Sequence, residues 1–251
     1  MKIMIYAILS VKDDPGELDA LLNGMKGISG GHLYAVSTNE IAAVVCDLEQ
    51  SRFEADRAGA IEYAGVIETL SQRFTLLPMR FGSAMESTEA IHQMLERNYP
   101  GIHHNLQQVE NKFEFGLKVF CDSEKLMADL MAESTAGNPE ISLPSSEAPN
   151  SVYKDWISKK LKEHRLEELL LKHVDSVISI LTGELIQMNA LCKFKKMSSK
   201  AVIIDAVFLL EKGLKDPLIL KIEYLQNRYP GLNFILTGPW PPYNFVEITI
   251  T

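Results

Sequence analysis

Cysteine is scarce in this chain: three in 251 residues, Cys46, Cys121 and Cys192. They are odd in number and far apart, with no C-x-x-C pair and no Cys/His cluster. That argues against a disulfide framework and against a zinc site, and leads one to expect free thiols in a reducing, cytoplasmic setting. Long hydrophobic runs are missing too. Nothing approaches the roughly 20 apolar residues that cross a bilayer, so no membrane span is expected. The run Ile3 to Leu9 follows Lys2 as it would in a signal peptide. It is short, however, and Lys12-Asp13-Asp14-Pro15-Gly16 follows without a small-x-small cleavage site, so it reads as a first strand. Positive charge is in deficit, with 25 Lys and Arg against 33 Asp and Glu and a net charge of −8. Such an acidic balance argues against nucleic acid or anionic lipid as the main partner.

Catalytic patterns are equally absent. No H-E-x-x-H occurs, and the letters G-x-S-x-G appear only as Gly27-Ile28-Ser29-Gly30-Gly31, after a helical stretch and not on the strand-to-helix turn that a nucleophilic serine needs. Gly27, Gly30 and Gly31 follow a helical stretch rather than a strand, so they fit neither a Walker loop nor a Rossmann turn. His103 and His104 are adjacent and point apart, while His164 and His173 lie about two and a half helical turns from each other. No catalytic residue, metal site or cofactor is expected. Asp205 sits inside the apolar run Val202 to Phe208. It reads as a carboxylate on an exposed sheet face, with a paired or functional acid as the other option.

What is present is an alternation of strand and helix patterns, predicting an α+β fold of two domains with mostly antiparallel sheets. Residues 1–110 form the N-terminal domain in this reading. A central first strand alternates Ile3, Ile5, Ala7 and Leu9 against Met4, Tyr6 and Ile8. A helix over Leu18 to Met25 and a hairpin of His32–Ser37 with Ile41–Cys46 follow. The next helix, Glu54 to Phe74, carries Ile61, Ala64, Val66, Ile67 and Leu70 inward. Thr75 to Met79 is extended, and a second helix, capped near Ser87, ends at Pro100-Gly101. The polar stretch His103–Asn111 reads as the domain boundary.

Residues 111–251 form the C-terminal domain, with the strand, helix, strand, strand, helix, strand order of a ferredoxin-like fold. Its first strand turns Phe113, Phe115, Leu117, Val119 and Cys121 inward and Glu114 outward. A short helix at 123–132, a mobile Ser/Pro-rich loop at 134–151 and a long helix at 153–181 come next. Strands near 184–194 and 201–210 precede a helix capped by Asp216 before Pro217, and then a last strand at 232–236. Arg97-Asn98-Tyr99-Pro100-Gly101 and Asn227-Arg228-Tyr229-Pro230-Gly231 echo each other, and both read as helix ends.

Two segments stand out. In Thr237-Gly238-Pro239-Trp240-Pro241-Pro242-Tyr243-Asn244-Phe245 three prolines remove donors and fix φ around three large rings. This suits either a docking surface or a crossover that closes its own domain with the rings on the core. In Leu76-Leu77-Pro78-Met79-Arg80-Phe81-Gly82-Ser83 an arginine stands among apolar residues. It reads as an interface anchor, as a clamp for an acidic group in a small-molecule pocket, or as a structural arginine satisfying loop carbonyls.

Together these segments resemble the two signature blocks of the gas vesicle protein F/L family, and the order of elements and the length match across nearly the whole chain. The resemblance implies an accessory or minor structural protein of gas vesicles, the gas-filled buoyancy organelles in the cytoplasm of some bacteria and archaea. It implies no enzyme and no cofactor. It implies association with the hydrophobic shell protein and with other gas vesicle accessory proteins. On this reading Arg80, Phe81, Trp240, Pro241, Pro242, Tyr243 and Phe245 are the candidate interaction residues. The alternative is a small-molecule-binding or enzymatic α+β domain with a polar pocket near Arg80.

Overall fold

The computed structural model describes residues 2–11, 15–48, 56–121, 168, 172, 175–183, 185–195 and 202–246. The chain divides into two compact units, Met1–Phe115 with Gly238–Thr251, and Gly116–Thr237. Residues from Gly238 onward therefore belong with the first unit, not with the C-terminal half where the sequence pattern put them. The division falls inside a strand, not in the polar stretch His103–Asn111.

The first unit is built on β1 (Lys2–Ser10), the central strand of an antiparallel sheet. β2 (Leu33–Thr38) and β3 (Ile41–Leu48) form a hairpin beside it, turning at Asn39, whose φ is 50°. Asparagine tolerates this left-handed conformation, which a two-residue turn needs. On the other edge β1 pairs with β4 (Leu76–Pro78) and β5 (Ala84–Met85). Seven consecutive β1 residues, Ile3 to Leu9, are buried, as a strand covered on both faces requires.

The β1–β3 register slips between Ile5 and Ala7, leaving Tyr6 as an extra residue. Strict alternation, which put Tyr6 and Ala7 on opposite faces, fails there. The bulge delivers Met4, Tyr6, Ala7 and Leu9 to one hydrophobic cluster. Opposite them lie Leu18 and Leu22 of α1 (Pro15–Asn23) and Tyr63, Val66, Ile67 and Leu70 of α2 (Arg57–Arg73). Ile61 and Ala64 were expected on the inner side of α2 but are exposed. The face that meets the sheet runs through Gly59, Tyr63, Val66, Ile67 and Leu70, one helical stripe away. Asp56 caps α2 by accepting from the Gly59 amide at 2.7 Å.

Helix α3 (Thr88–Arg97) is capped as expected by Ser87, whose hydroxyl accepts from the Ala90 amide at 3.2 Å. Pro100-Gly101 does not stop a helix; it opens one. Helix α4 (Tyr99–Val109) carries Pro100 in its first turn, where a missing N–H costs nothing, and buries Ile102, Leu106 and Val109. The polar stretch expected as a linker is the solvated side of this helix. Tyr-Pro-Gly thus starts one helix here and follows the end of another at Tyr229, so the two echoes are not equivalent.

The second unit holds most of a four-stranded sheet in the order β7-β8-β6-β9, from β6 (Lys112–Cys121), β7 (Leu191–Phe194), β8 (Val202–Glu211) and β9 (Leu232–Trp240). β7 is shorter than the strand read at 184–194, because residues 185–187 are helical. The short helix at 123–132 and the loop at 134–151 lie outside the described residues, as does most of the helix at 153–181. Residues 175–183 of it are helical and bury Val177 and Leu181. Helix α5 (Lys215–Arg228) buries Leu218, Ile222 and Leu225. Its N-cap position is Leu214, so Asp216 lies within the first turn and makes no cap. There its charge still favours the positive helix end. Gln226 ties α5 to β9, accepting from the Phe234 amide at 2.9 Å and donating to the Leu232 carbonyl at 2.6 Å. Asp205 is paired, not displayed: its side chain is 11% exposed and lies 3.7 Å from the Lys118 ammonium on β6.

Close packing around Cys46 gives a stability test. A Cβ added at Gly31 would stand 2.4 Å from the Cys46 sulfur. Gly31→Ala should lower the unfolding free energy by about 1–3 kcal/mol, the usual cost of overpacking. Adding Cys46→Ala should recover part of that loss, measured by denaturant unfolding as a double-mutant cycle.

Candidate interaction site

The first block, 76–83, is laid along β1 and then leaves it. β4 pairs with β1 through Leu76 and Leu9, Leu77 and Ile8, and Pro78 and Ala7. The Met79 amide donates to the Tyr6 carbonyl at 2.9 Å, and the Ile5 amide to the Ser83 carbonyl at 2.8 Å. Between these bonds Arg80, Phe81, Gly82 and Ser83 make a turn closed by Ser83 N–H to the Arg80 carbonyl, 2.9 Å. Gly82 takes φ of 86° at its third position, as a type II turn requires. The excursion faces the β1 bulge, so both strands depart from regular pairing at the same place.

Tyr63 of α2 fills that irregularity. Its hydroxyl oxygen lies 2.9 Å from the Ile5 carbonyl, 3.2 Å from Tyr6, 3.0 Å from Met79 and 3.3 Å from Arg80. A phenol has one proton to donate, so it is shared among carbonyls that the bulge and the turn leave imperfectly paired. The Tyr63 ring stacks on Tyr6, with centroids 4.7 Å apart, and meets Phe81 at 5.2 Å in a tilted contact. Burial, then the nearby Tyr243 and Tyr6 phenols, push the Tyr63 hydroxyl far above its ordinary range. Arg80 does not do the structural work considered for it. Its side chain is exposed on the turn, while the loop carbonyls are served by Tyr63 and the Ser83 amide.

The second block was expected to interrupt regular sheet, yet β9 continues through Pro239 to Trp240. A proline is tolerated there because β9 is the edge strand of its sheet. The Gly238–Pro239 bond is cis, and Gly238 has φ of 113°. A Cβ at Gly238 would lie 2.8 Å from the Glu114 carbonyl oxygen, so only glycine fits. Beyond it Pro241 and Pro242 are buried, and Tyr243 to Phe245 turn back on them through Tyr243 N–H to Pro241 O, 2.8 Å, and Phe245 N–H to Pro242 O, 3.2 Å.

Glu114 locks this turn. The Asn244 amide donates to one carboxylate oxygen at 2.7 Å, and the Asn244 side-chain amide donates to the other. Glu114 was read as outward-facing from strand alternation, but it is 4% exposed. The returning tail covers it and supplies its donors. No local pattern announces this pairing, because the partners are 130 residues apart. Trp240 and Tyr243 remain 45% and 43% exposed, while Phe245 and Phe81 are half-buried. Partial burial and the charges of Glu114 and Glu68 push the Tyr243 hydroxyl up to about 12.

A recess of about 170 Å³ does exist in the first unit, but neither Arg80 nor Asp205 lines it. Among the described residues no group of three or more His, Cys, Asp or Glu is placed to hold a metal ion.

Two predictions follow from these contacts. Tyr63→Phe should cost about 1–3 kcal/mol of stability, because it removes a buried donor shared among four backbone carbonyls, two of which, those of Tyr6 and Arg80, also accept from backbone amides. Tyr6 and Tyr243 both ionise near 12 in the folded chain, against about 10 for a free phenol. Their neutral forms are favoured by folding, so that contribution is complete below pH about 10 and lost as pH rises towards about 12. Unfolding free energy should decline over that window, and phenolate absorbance should show late-titrating tyrosines.

The family model described as "Gas vesicle synthesis protein GvpL/GvpF" matches residues 2–247. Gas vesicle protein F of a Streptomyces species is 25% identical over 207 residues, covering 82% of this chain and 84% of that protein. The crystal structure of gas vesicle protein GvpF from Anabaena superposes with a TM-score of 0.73 at 17% identity, covering 99% of this chain and 97% of that one. That of GvpF from Microcystis aeruginosa gives 0.72 at 16% identity, covering 98% and 99%. These likenesses share the α+β architecture with antiparallel sheets. The match over nearly its full length shows that the chain belongs to the gas vesicle synthesis protein GvpL/GvpF family.

Proposed function

We propose that this protein serves gas vesicle assembly by binding the hydrophobic shell protein, and other vesicle proteins, through the tail block and the turn beside it. Membership of the family supports a role in gas vesicle formation and a location at gas vesicles within the cytoplasm. The observation that carries the binding reading is the division of labour within the block. Pro241 and Pro242 are buried, whereas the rings that flank them, Trp240 and Tyr243, are 45% and 43% exposed. A segment that served only to close the fold would bury its largest rings first. Here the prolines and the Glu114–Asn244 pair hold the backbone, and the rings are presented on it with little conformational freedom left to lose.

The chemistry suits the partner. A wall that keeps liquid water from a gas space needs subunits with a strongly apolar face, and such subunits aggregate before assembly. Aromatic rings on a rigid, acidic, soluble protein offer apolar area to that face without joining the aggregate. Arg80, exposed on its turn, adds a planar donor fork for a carboxylate or carbonyl of the partner. The role asks for no bond-breaking step and no cofactor.

Trp240→Ala with Tyr243→Ala should reduce capture of the shell protein in a pull-down about tenfold or more, as loss of two aromatic anchors does. Circular dichroism and the unfolding midpoint should stay close to those of the native chain, because both rings are half-exposed. Undiminished capture by a folded double variant rules this surface out.

A further inference from the structure

We propose that β7 is a docking edge that takes an extended, acidic segment of another polypeptide as an added strand of the second sheet. β7 stands at the end of the sheet order and pairs on one side only, with β8. Its register matches Cys192 with Phe208 and Phe194 with Ala206, and the Lys195 amide donates to the Asp205 carbonyl at 2.7 Å. Bonding alternates along an antiparallel pair, so the main-chain groups of Leu191 and Lys193 turn towards β8 as those of Lys195 do. The N–H and C=O groups of Cys192 and Phe194 therefore point away from it. Among the described residues no hydrogen bond takes them up. Donors and acceptors at every second residue are what an incoming strand pairs with. β9, the opposite edge, carries Pro239, which has no N–H to offer, whereas β7 contains no proline.

Side chains and charge select the occupant. Leu191 and Phe194, on opposite faces of β7, are 50% and 56% exposed, so apolar side chains of an incoming strand gain contact on both sides. From Leu185 to Ile204 the sequence has four lysines, Lys193, Lys195, Lys196 and Lys200, and neither Asp nor Glu, in a chain of net charge −8. Lys193 already has an interaction within the chain. Lys195 is exposed, and Asp205 beside it is paired with Lys118 instead, at 3.7 Å. The Lys195 ammonium is thus the group that answers a carboxylate on the added strand. A second copy of this chain fits badly, because pairing Cys192 of one with Phe194 of the other sets Lys193 directly against Lys193. An anionic lipid surface would match the charge but cover the outward N–H and C=O groups without bonding them. β7 belongs to the second unit, and Trp240 and Tyr243 to the first, so this edge stands or falls without the ring surface.

The test uses the full chain, isotopically labelled, followed by NMR and amide hydrogen exchange while a short capped peptide of alternating valine and glutamate is added. The Cys192 and Phe194 amides should shift saturably and exchange several-fold more slowly. The Lys193 and Lys195 amides, already turned to β8, should change little. The same peptide with lysine in place of glutamate should bind several-fold more weakly. So should the acidic peptide N-methylated at its valines, which loses the donors that pair with Cys192 and Phe194. Lys195→Gln should weaken the acidic peptide several-fold and leave the unfolding midpoint in place, because that side chain is exposed. No protection at Cys192 and Phe194, protection without the two-residue alternation, equal binding of the lysine or N-methylated peptide, or a folded Lys195→Gln chain that binds as the native one does would each overturn the docking edge. So would vesicles of phosphatidylcholine and phosphatidylserine that bind the chain where the acidic peptide does not. A shell-protein pull-down that fails in the ring variant leaves these outcomes untouched.

Discussion

One phenolic oxygen, that of Tyr63, stands within hydrogen-bond reach of four backbone carbonyls, two from β1 and two from the chain that leaves β4. The first unit is organised around this contact. A bulge in β1 and an excursion of the chain between β4 and β5 occur opposite each other, and each frees carbonyls from regular pairing. Buried polar groups left that way cost more than most single contacts contribute. A tyrosine on the inner stripe of α2 answers both at once and ties helix, central strand and turn together. Its ring then packs on Tyr6 and Phe81, so one side chain supports the core cluster and the turn that presents Arg80.

The tail repeats the same logic with charge in place of a phenol. Glu114 is a buried carboxylate, and a carboxylate without donors does not survive burial. Asn244 supplies two donors, one from the backbone and one from the side chain, and so fixes the turn after the two buried prolines. The exposed rings of Trp240 and Tyr243 inherit their positions from this lock.

Local patterns carried most of the secondary structure. The capping serine at 87, the hairpin at Asn39 and the stripe of Leu218, Ile222 and Leu225 could be read from spacing and turn chemistry alone. The errors have a common cause, because they arise where a distant segment changes what a residue faces. Alternation put Glu114 in solvent, and the returning tail buried it. Alternation also split Tyr6 from Ala7, and a bulge reunited them. Asp205 looked displayed until Lys118 on the neighbouring strand paired with it. Pro100 looked like a terminator, since proline signals both ends of helices and only packing of Ile102, Leu106 and Val109 decides which. The two unusual blocks were visible as oddities of composition. That Tyr63, on the helix before the first block, lies beside both was not.

The first unit is discontinuous, and the second is made between its two parts. During vectorial synthesis the ribosome therefore releases the whole of residues 116–237 before Asn244 exists to meet Glu114. Until then Glu114 lacks the two donors that Asn244 supplies. The aromatic block therefore meets Glu114 only as a late event, after both sequence parts of the first unit have emerged.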